Sequence, residues 1–297
     1  MWIGRPAVCS SSTTCLWDTG DGRSPVHVGC WSRCRTDSVY IENGDELLST
    51  EFNSTDRWIR RNRTSSKLRM RLVCFPHAGG SANYFYSWSD FLPDDVELLS
   101  VQYPGRHERL AEACVEKMDE LVAGITNALS RFLDRPVVLF GHSMGASVAF
   151  EVSRQLERTF GITPTMLYVS GQEAPHTPLR RDPVSGDDEA LLSEIRRMNG
   201  GNAEALDNPD LRDLALPAIR ADFRLLEAYR PQPVRSISAP ITSYVGDMDA
   251  DVDFDNARAW AQATRGTFRF QTFPGGHFYL SDCKPGFVSD LVRRAEQ

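Results

Sequence analysis

Residues 136–149 read PVVLFGHSMGASVA. Residues 136–140 are apolar throughout, the pattern of a short parallel strand buried on both faces. From Ala146 onward small residues open a helix that the spacing predicts to run to Phe160. Between them lies Gly141-His142-Ser143-Met144-Gly145, a G-x-S-x-G motif. With a strand before it and a helix after it, the serine sits on a strained corner, and the residues two before and two after it must be small. Glycine at both places lets the backbones pass. The helix N-terminus supplies partial positive charge where an oxyanion would form.

The alternation continues outward from this corner. Residues 68–75 and 96–103 read as strands, with a short helix between them over 82–92. Residues 118–133 carry a helical stripe of Leu121, Val122, Ile125, Leu129 and Phe132. Another strand follows at 165–170. Helices alone are then predicted, at 189–198 and 210–229, and Pro217 is expected to bend or break the second. Strands resume at 241–245 and 267–273, with helices at 256–264 and 285–296. This order implies a mostly parallel sheet with helices on both faces. Residues at about 174–232 form a helical lid inserted into it. With the serine corner, the expected architecture is the α/β-hydrolase fold.

In that fold the triad follows the chain order Ser, acid, His. Ser143 is the expected nucleophile. A late histidine is wanted in a loop after the last strand, and Phe273-Pro274-Gly275-Gly276-His277-Phe278 supplies His277 as general base. The acid should follow the preceding strand, which ends at Gly246-Asp247-Met248-Asp249-Ala250-Asp251. Asp249, three residues past the glycine, is favoured to reach the histidine, ahead of Asp247 and then Asp251. Its carboxylate would fix the imidazole tautomer and stabilise the imidazolium. The oxyanion hole needs two backbone N–H groups. One belongs to Met144, the residue after the nucleophile, and the other to the loop Phe75-Pro76-His77-Ala78-Gly79-Gly80-Ser81, where Ala78 is the expected donor. His77 precedes the nucleophile in the chain and is expected to shape the loop.

Composition narrows the function classes. The chain has 297 residues, 41% of them hydrophobic, enough to bury a large core. Its net charge of −7 and the lack of a long Lys/Arg run argue against a nucleic-acid partner. No run of about 18 apolar residues predicts a membrane span, and the N-terminus has no signal-peptide pattern, so a cytoplasmic location is expected. Four of the seven cysteines, Cys9, Cys15, Cys30 and Cys34, fall near the start. Their spacing is unlike the usual zinc motifs, so no metal and no cofactor are expected. Residues 1–51 are rich in Ser, Thr, Gly and Cys and show no periodicity. They read as a disordered extension, or as a start placed too far upstream, and residues 52–297 as the catalytic domain.

Four motifs together resemble a known family: LVCFPHAGGS at 72–81, YPGR at 103–106, FGHSMGA at 140–146 and PGGHF at 274–278, with LPAIRADF at 216–223 in the lid. They are similar to type II thioesterases, the stand-alone editing enzymes of polyketide and nonribosomal peptide synthases. The resemblance covers about residue 56 to the C-terminus. It implies that the partners are acyl or peptidyl carrier proteins and that Ser143 attacks the thioester on their phosphopantetheine arm. Such carriers are acidic, so a chain of charge −7 must recognise them locally, with Arg106, Arg109, Arg180 and Arg181 as candidates. A general serine esterase or an acyltransferase would use the same triad, and a catalytically silent binding module would not need it intact.

Overall fold

The apolar segments become strands that start and stop within a few residues of their predicted bounds. The computed structural model describes residues 57–62, 64, 66–178, 183–198, 206–230, 235–282 and 285–296, with short strands at 14–16 and 27–29. The chain divides into two units, Met1–Ser54 and Thr55–Gln297. Within the first, β1 (Thr14–Leu16) pairs antiparallel with β2 (His27–Gly29). Strands of three residues are too short for an alternating pattern to register in sequence.

The second unit holds a seven-stranded sheet. Its strands are β3 (Ile59–Arg61), β4 (Met70–Phe75), β5 (Val96–Val101), β6 (Val137–His142), β7 (Met166–Ser170), β8 (Ile241–Gly246) and β9 (Phe268–Phe273). Their spatial order is β3-β5-β4-β6-β7-β8-β9. All neighbours pair in parallel except β3, which runs antiparallel to β5. Sequence reading missed β3, because one apolar residue followed by two arginines carries no alternating pattern. Strands β4 to β8 are buried along their whole length, as strands covered on both faces must be.

One face is covered by α1 (Met118–Leu129) and α2 (Met144–Phe160), whose Leu121, Ile125, Val148 and Val152 join the core with Val73, Leu139 and Leu167. The other face packs against the 3-10 helix Ala82–Phe91 and α6 (Pro285–Arg294), through Phe85, Trp88, Val288 and Leu291. The expected helix at 256–264 divides into α5 (Phe254–Arg258) and a 3-10 turn, Ala259–Ala263.

The lid consists of α3 (Asp188–Arg197) and α4 (Pro209–Ala228). Asp187 and Asn208 cap their N-termini by accepting backbone N–H bonds. Helix α4 continues through Pro217 without a break. Both Pro217 and Asp213, whose carbonyl the proline leaves without its usual donor, are exposed, so water can satisfy that carbonyl. Leu191, Leu192, Leu206, Leu216 and Ile219 form the lid's own small core. Among the described residues no helix is long and apolar enough to cross a membrane.

Candidate active site

The carboxyl ends of β4, β6, β8 and β9 bring the chemically important loops together. Ser143 follows β6 with φ 53° and ψ −123°, in a region that costs a non-glycine residue about 1–3 kcal/mol. Its N–H donates to Ser170 O at 2.7 Å, which ties the corner to the end of β7. The need for glycines on both sides is visible in space. A Cβ at Gly141 would lie 2.1 Å from Gly145 O, and one at Gly145 would lie 2.0 Å from Phe75 O on the neighbouring strand. The turn therefore packs directly against the β4 backbone.

Of the three candidate aspartates, Asp249 meets the histidine. His277 Nδ1 and Asp249 Oδ2 are 2.9 Å apart, and both side chains are buried. The second carboxylate oxygen accepts the Asp251 N–H at 2.9 Å. Asp247 instead staples the two loops, since its Oδ1 accepts the Gly275 N–H at 2.9 Å and its own N–H donates to Phe273 O at 2.7 Å. Asp251 is ion-paired with Arg197 of the lid. Atoms of Asp249, Asp251 and His277 lie within 4.8 Å of one another, close enough to suggest a metal site. Asp249 and His277 bond each other and Asp251 is paired with Arg197, which leaves the set poorly suited to one. On the far side of the ring, His277 Nε2 is buried with no protein partner.

Two further histidines pack around His277. The His142 ring centroid lies 5.2 Å from that of His277 and 6.1 Å from that of His77. His142 Nδ1 contacts Ser170 Oγ at 3.0 Å, and Ser170 Oγ contacts Tyr279 OH at 2.7 Å. Burial holds the His142 imidazole well below the usual histidine range, with His277 and His77 adding to the effect. Burial, and then the neighbouring His277 and Arg106, push His77 down to about 3. Both rings are therefore neutral at working pH, and His77 is part of the wall of the site, as its place in the chain suggested. Sequence reading did not single out His142, although its place inside the serine motif marks it.

In the loop after β4, the Gly80 N–H donates to His77 O at 2.9 Å, and the Gly79 N–H donates to Asp222 Oδ2 at 2.7 Å. Those two N–H groups are spent, and Ala78, the expected donor, lies beside them. The proposed carrier-binding role of Arg106 and Arg109 needs correction. Arg106 is buried and grips Asp222 of α4, with Nη2 2.9 Å from Oδ1. Arg109 is buried as well, paired with Glu112 and stacked 4.2 Å from the Trp58 ring centre. Neither can meet a partner protein. Arg180 and Arg181 lie outside the described residues, as do the side chains of Cys9, Cys15, Cys30 and Cys34.

A cavity of about 510 Å³ opens between the lid and the body, lined among others by Ser147, Ala174, Val184, Phe223 and Leu226. Ser147 lies in the first turn of α2, four residues after Ser143, the residue that precedes that helix.

Comparison with known proteins gives a consistent result. A family model described as "Thioesterase domain" matches residues 70–294. Thioesterase PikA5 of Streptomyces venezuelae is 42% identical over 226 residues, 76% of this chain and 80% of that protein. The gramicidin S biosynthesis protein GrsT of Aneurinibacillus migulanus is 32% identical over 246 residues, 82% of this chain and 96% of its own length. The solved structure of the type II thioesterase BorB from the borrelidin biosynthetic cluster superposes with a TM-score of 0.75 at 38% identity, covering 82% of this chain and 98% of that one.

Proposed function

The chain belongs to the thioesterase family of serine hydrolases, and we propose that it acts in trans on acyl or peptidyl carrier proteins of a polyketide or nonribosomal peptide synthase. Its task would be to clear aberrant or stalled acyl groups from their phosphopantetheine arms. The observation that carries the chemistry is the buried Asp249–His277 pair, whose Nε2 has no protein partner and whose ring packs against His142, the residue before a serine held on a strained corner.

Asp249 accepts the Nδ1–H of His277, which leaves Nε2 as the basic nitrogen. His277 takes the Ser143 proton as Oγ attacks the thioester carbonyl. The N–H groups of Met144 and Ala78 hold the oxyanion, and the α2 N-terminus adds its positive end. Collapse of the tetrahedral intermediate breaks the C–S bond, and the proton on His277 passes to the departing pantetheine thiol. Water, deprotonated by the same histidine, then releases the acid from the acyl-serine. The cavity beneath the lid, walled by Phe223 and Leu226, would hold the acyl chain.

The test is a panel of acyl-carrier proteins incubated with the enzyme and followed by intact-mass spectrometry. Loss of the acyl mass from the carrier, abolished by Ser143→Ala, is the expected result. If a short pantetheine mimic and the carrier-bound substrate are cleaved with equal kcat/KM at every salt concentration, carrier recognition is wrong. A general esterase then becomes the better description.

A further inference from the structure

We propose that Asp222, on the lid helix α4, is a positioning residue for the oxyanion hole, and that its buried ion pair with Arg106 latches the seated lid to that hole. The proposal rests on the serine-hydrolase mechanism above, with Ala78 as a donor. The Ala78 N–H is flanked by two peptide planes. In the first, the His77 carbonyl and the Ala78 N–H point in opposite directions, because the peptide is planar and trans. The Gly80 N–H holds that carbonyl at 2.9 Å, so the loop itself fixes the direction in which the Ala78 N–H points. The second plane ends in the Gly79 N–H, and its partner is Asp222 Oδ2, 2.7 Å away on the lid.

Asp222 is well placed for this. Arg106 holds both of its oxygens, Nη1 on Oδ2 at 2.5 Å and Nη2 on Oδ1 at 2.9 Å. Arg106 is held in turn by Pro104 O at 3.2 Å and Gly80 O at 3.3 Å. The pair is nearly sealed from water, with Asp222 2% and Arg106 6% exposed. One turn earlier on α4, Ile219 presses on the same spot: a Cβ at Gly79, where φ is +74°, would lie 2.7 Å from Ile219 Cγ1. The lid helix therefore lies directly on the oxyanion loop.

Electrostatics explains why a pair is used. A lone buried carboxylate beside the hole would oppose the developing oxyanion, and the guanidinium cancels it. An apolar pair of similar volume could replace a buried ion pair with little loss of stability. It could not accept the Gly79 N–H. The other lid helix makes a matching contact: Arg197 of α3 pairs with Asp251, whose N–H donates to Asp249 Oδ1 at 2.9 Å. Seating the lid thus touches the hole and the triad acid together.

The test compares Asp222→Leu and Asp222→Asn with the wild type on an acyl-N-acetylcysteamine thioester, alongside an alkylboronic acid that forms a tetrahedral adduct on Ser143. Asp222→Leu should lose on the order of 10²-fold in kcat, as loss of a hole donor does. Its KM should stay within roughly threefold of wild type, and boronate affinity should fall with kcat/KM. Asp222→Asn keeps an oxygen for the Gly79 N–H and should recover most of kcat. A folded Asp222→Leu enzyme with wild-type kcat, or one altered only in KM with boronate affinity intact, overturns the proposal. Should Asp222→Leu not fold, amide exchange decides. The Gly79 amide should be protected in the wild type, and Arg106→Lys should speed its exchange and lower kcat together; no change in either overturns the latch. Ser143→Ala separates the two levels of inference. If it still turns over, the mechanism fails, whereas an inactive Ser143→Ala beside a normal Asp222→Leu removes the latch alone.

Discussion

Replacing Asp249 by asparagine should disable the enzyme by about four orders of magnitude while leaving its shape intact. Asn has the same size as Asp, so only the hydrogen bonding changes. The amide cannot turn to suit the histidine, because the Asp251 N–H points at the Oδ1 position from 2.9 Å and demands an oxygen there. The amide NH2 must then occupy the Oδ2 position, 2.9 Å from His277 Nδ1. An N–H facing Nδ1 makes that nitrogen the acceptor and moves the ring proton to Nε2. That tautomer cannot take a proton from Ser143. The corresponding change in a serine protease lowers kcat by about 10⁴, which corresponds to about 5.4 kcal/mol of barrier. Thiol release from an acyl-N-acetylcysteamine thioester, read with a colorimetric thiol reagent, measures the loss, and an unchanged melting curve shows the fold is intact. Asp247→Asn is the internal control: its oxygen can still accept the Gly275 N–H, and activity should change little. Near-normal turnover by Asp249→Asn, or equal losses at both positions, would refute the reasoning.

Other expectations follow from specific contacts. Gly145→Ala places a methyl 2.0 Å from Phe75 O, a backbone atom that cannot yield, so chemical denaturation should show a loss of about 3 kcal/mol or more, or no folded protein. Stability should fall as pH drops from 6.5 towards 3. Over that range the unfolded chain takes up protons that folded His77, pushed down to about 3, refuses, with a slope of about 1.4 kcal/mol per pH unit per such histidine. Urea melts at pH 7.5 and 5 check the sign, and His77→Phe should flatten the dependence. Leu226→Trp narrows the cavity of about 510 Å³ and should depress hydrolysis of long acyl chains more than acetyl; an equal effect on all lengths would mean that the residue only packs the lid. We further expect a chain beginning at Thr55 to melt and turn over like the full chain. Removing residues through 64 should destabilise it, because Trp58 stacks on Arg109 and Ile59 pairs with Val101.

The sequence alone determined what depends on neighbours along the chain. Strands β4 to β8 announced themselves as short, largely apolar stretches, wholly so at 136–140, and α1 by its stripe. The serine corner was legible because its geometry forbids side chains on both flanks, so its requirement is written in two glycines within five residues. His277 is the histidine that chain order and the glycines before it point to. Tertiary structure decided everything that rests on segments distant in sequence. Three aspartates within five residues compete for the acid's place; spacing from the glycine favours Asp249, but its 2.9 Å contact with His277, across 28 residues of chain, is a matter of tertiary structure. Arg106 reads as a surface charge because arginine is seldom buried, and its partner Asp222 lies 116 residues away on another element. The same holds for the bond from Asp222 to Gly79, across 143 residues. Pro217 looked like a break because helix rules count hydrogen bonds along the chain, whereas its placement on the exposed face of α4 is a property of how that helix lies on the body. Local sterics and periodicity are short-range and leave a mark in the letters; a buried charge and its partner are specified only by how the elements pack.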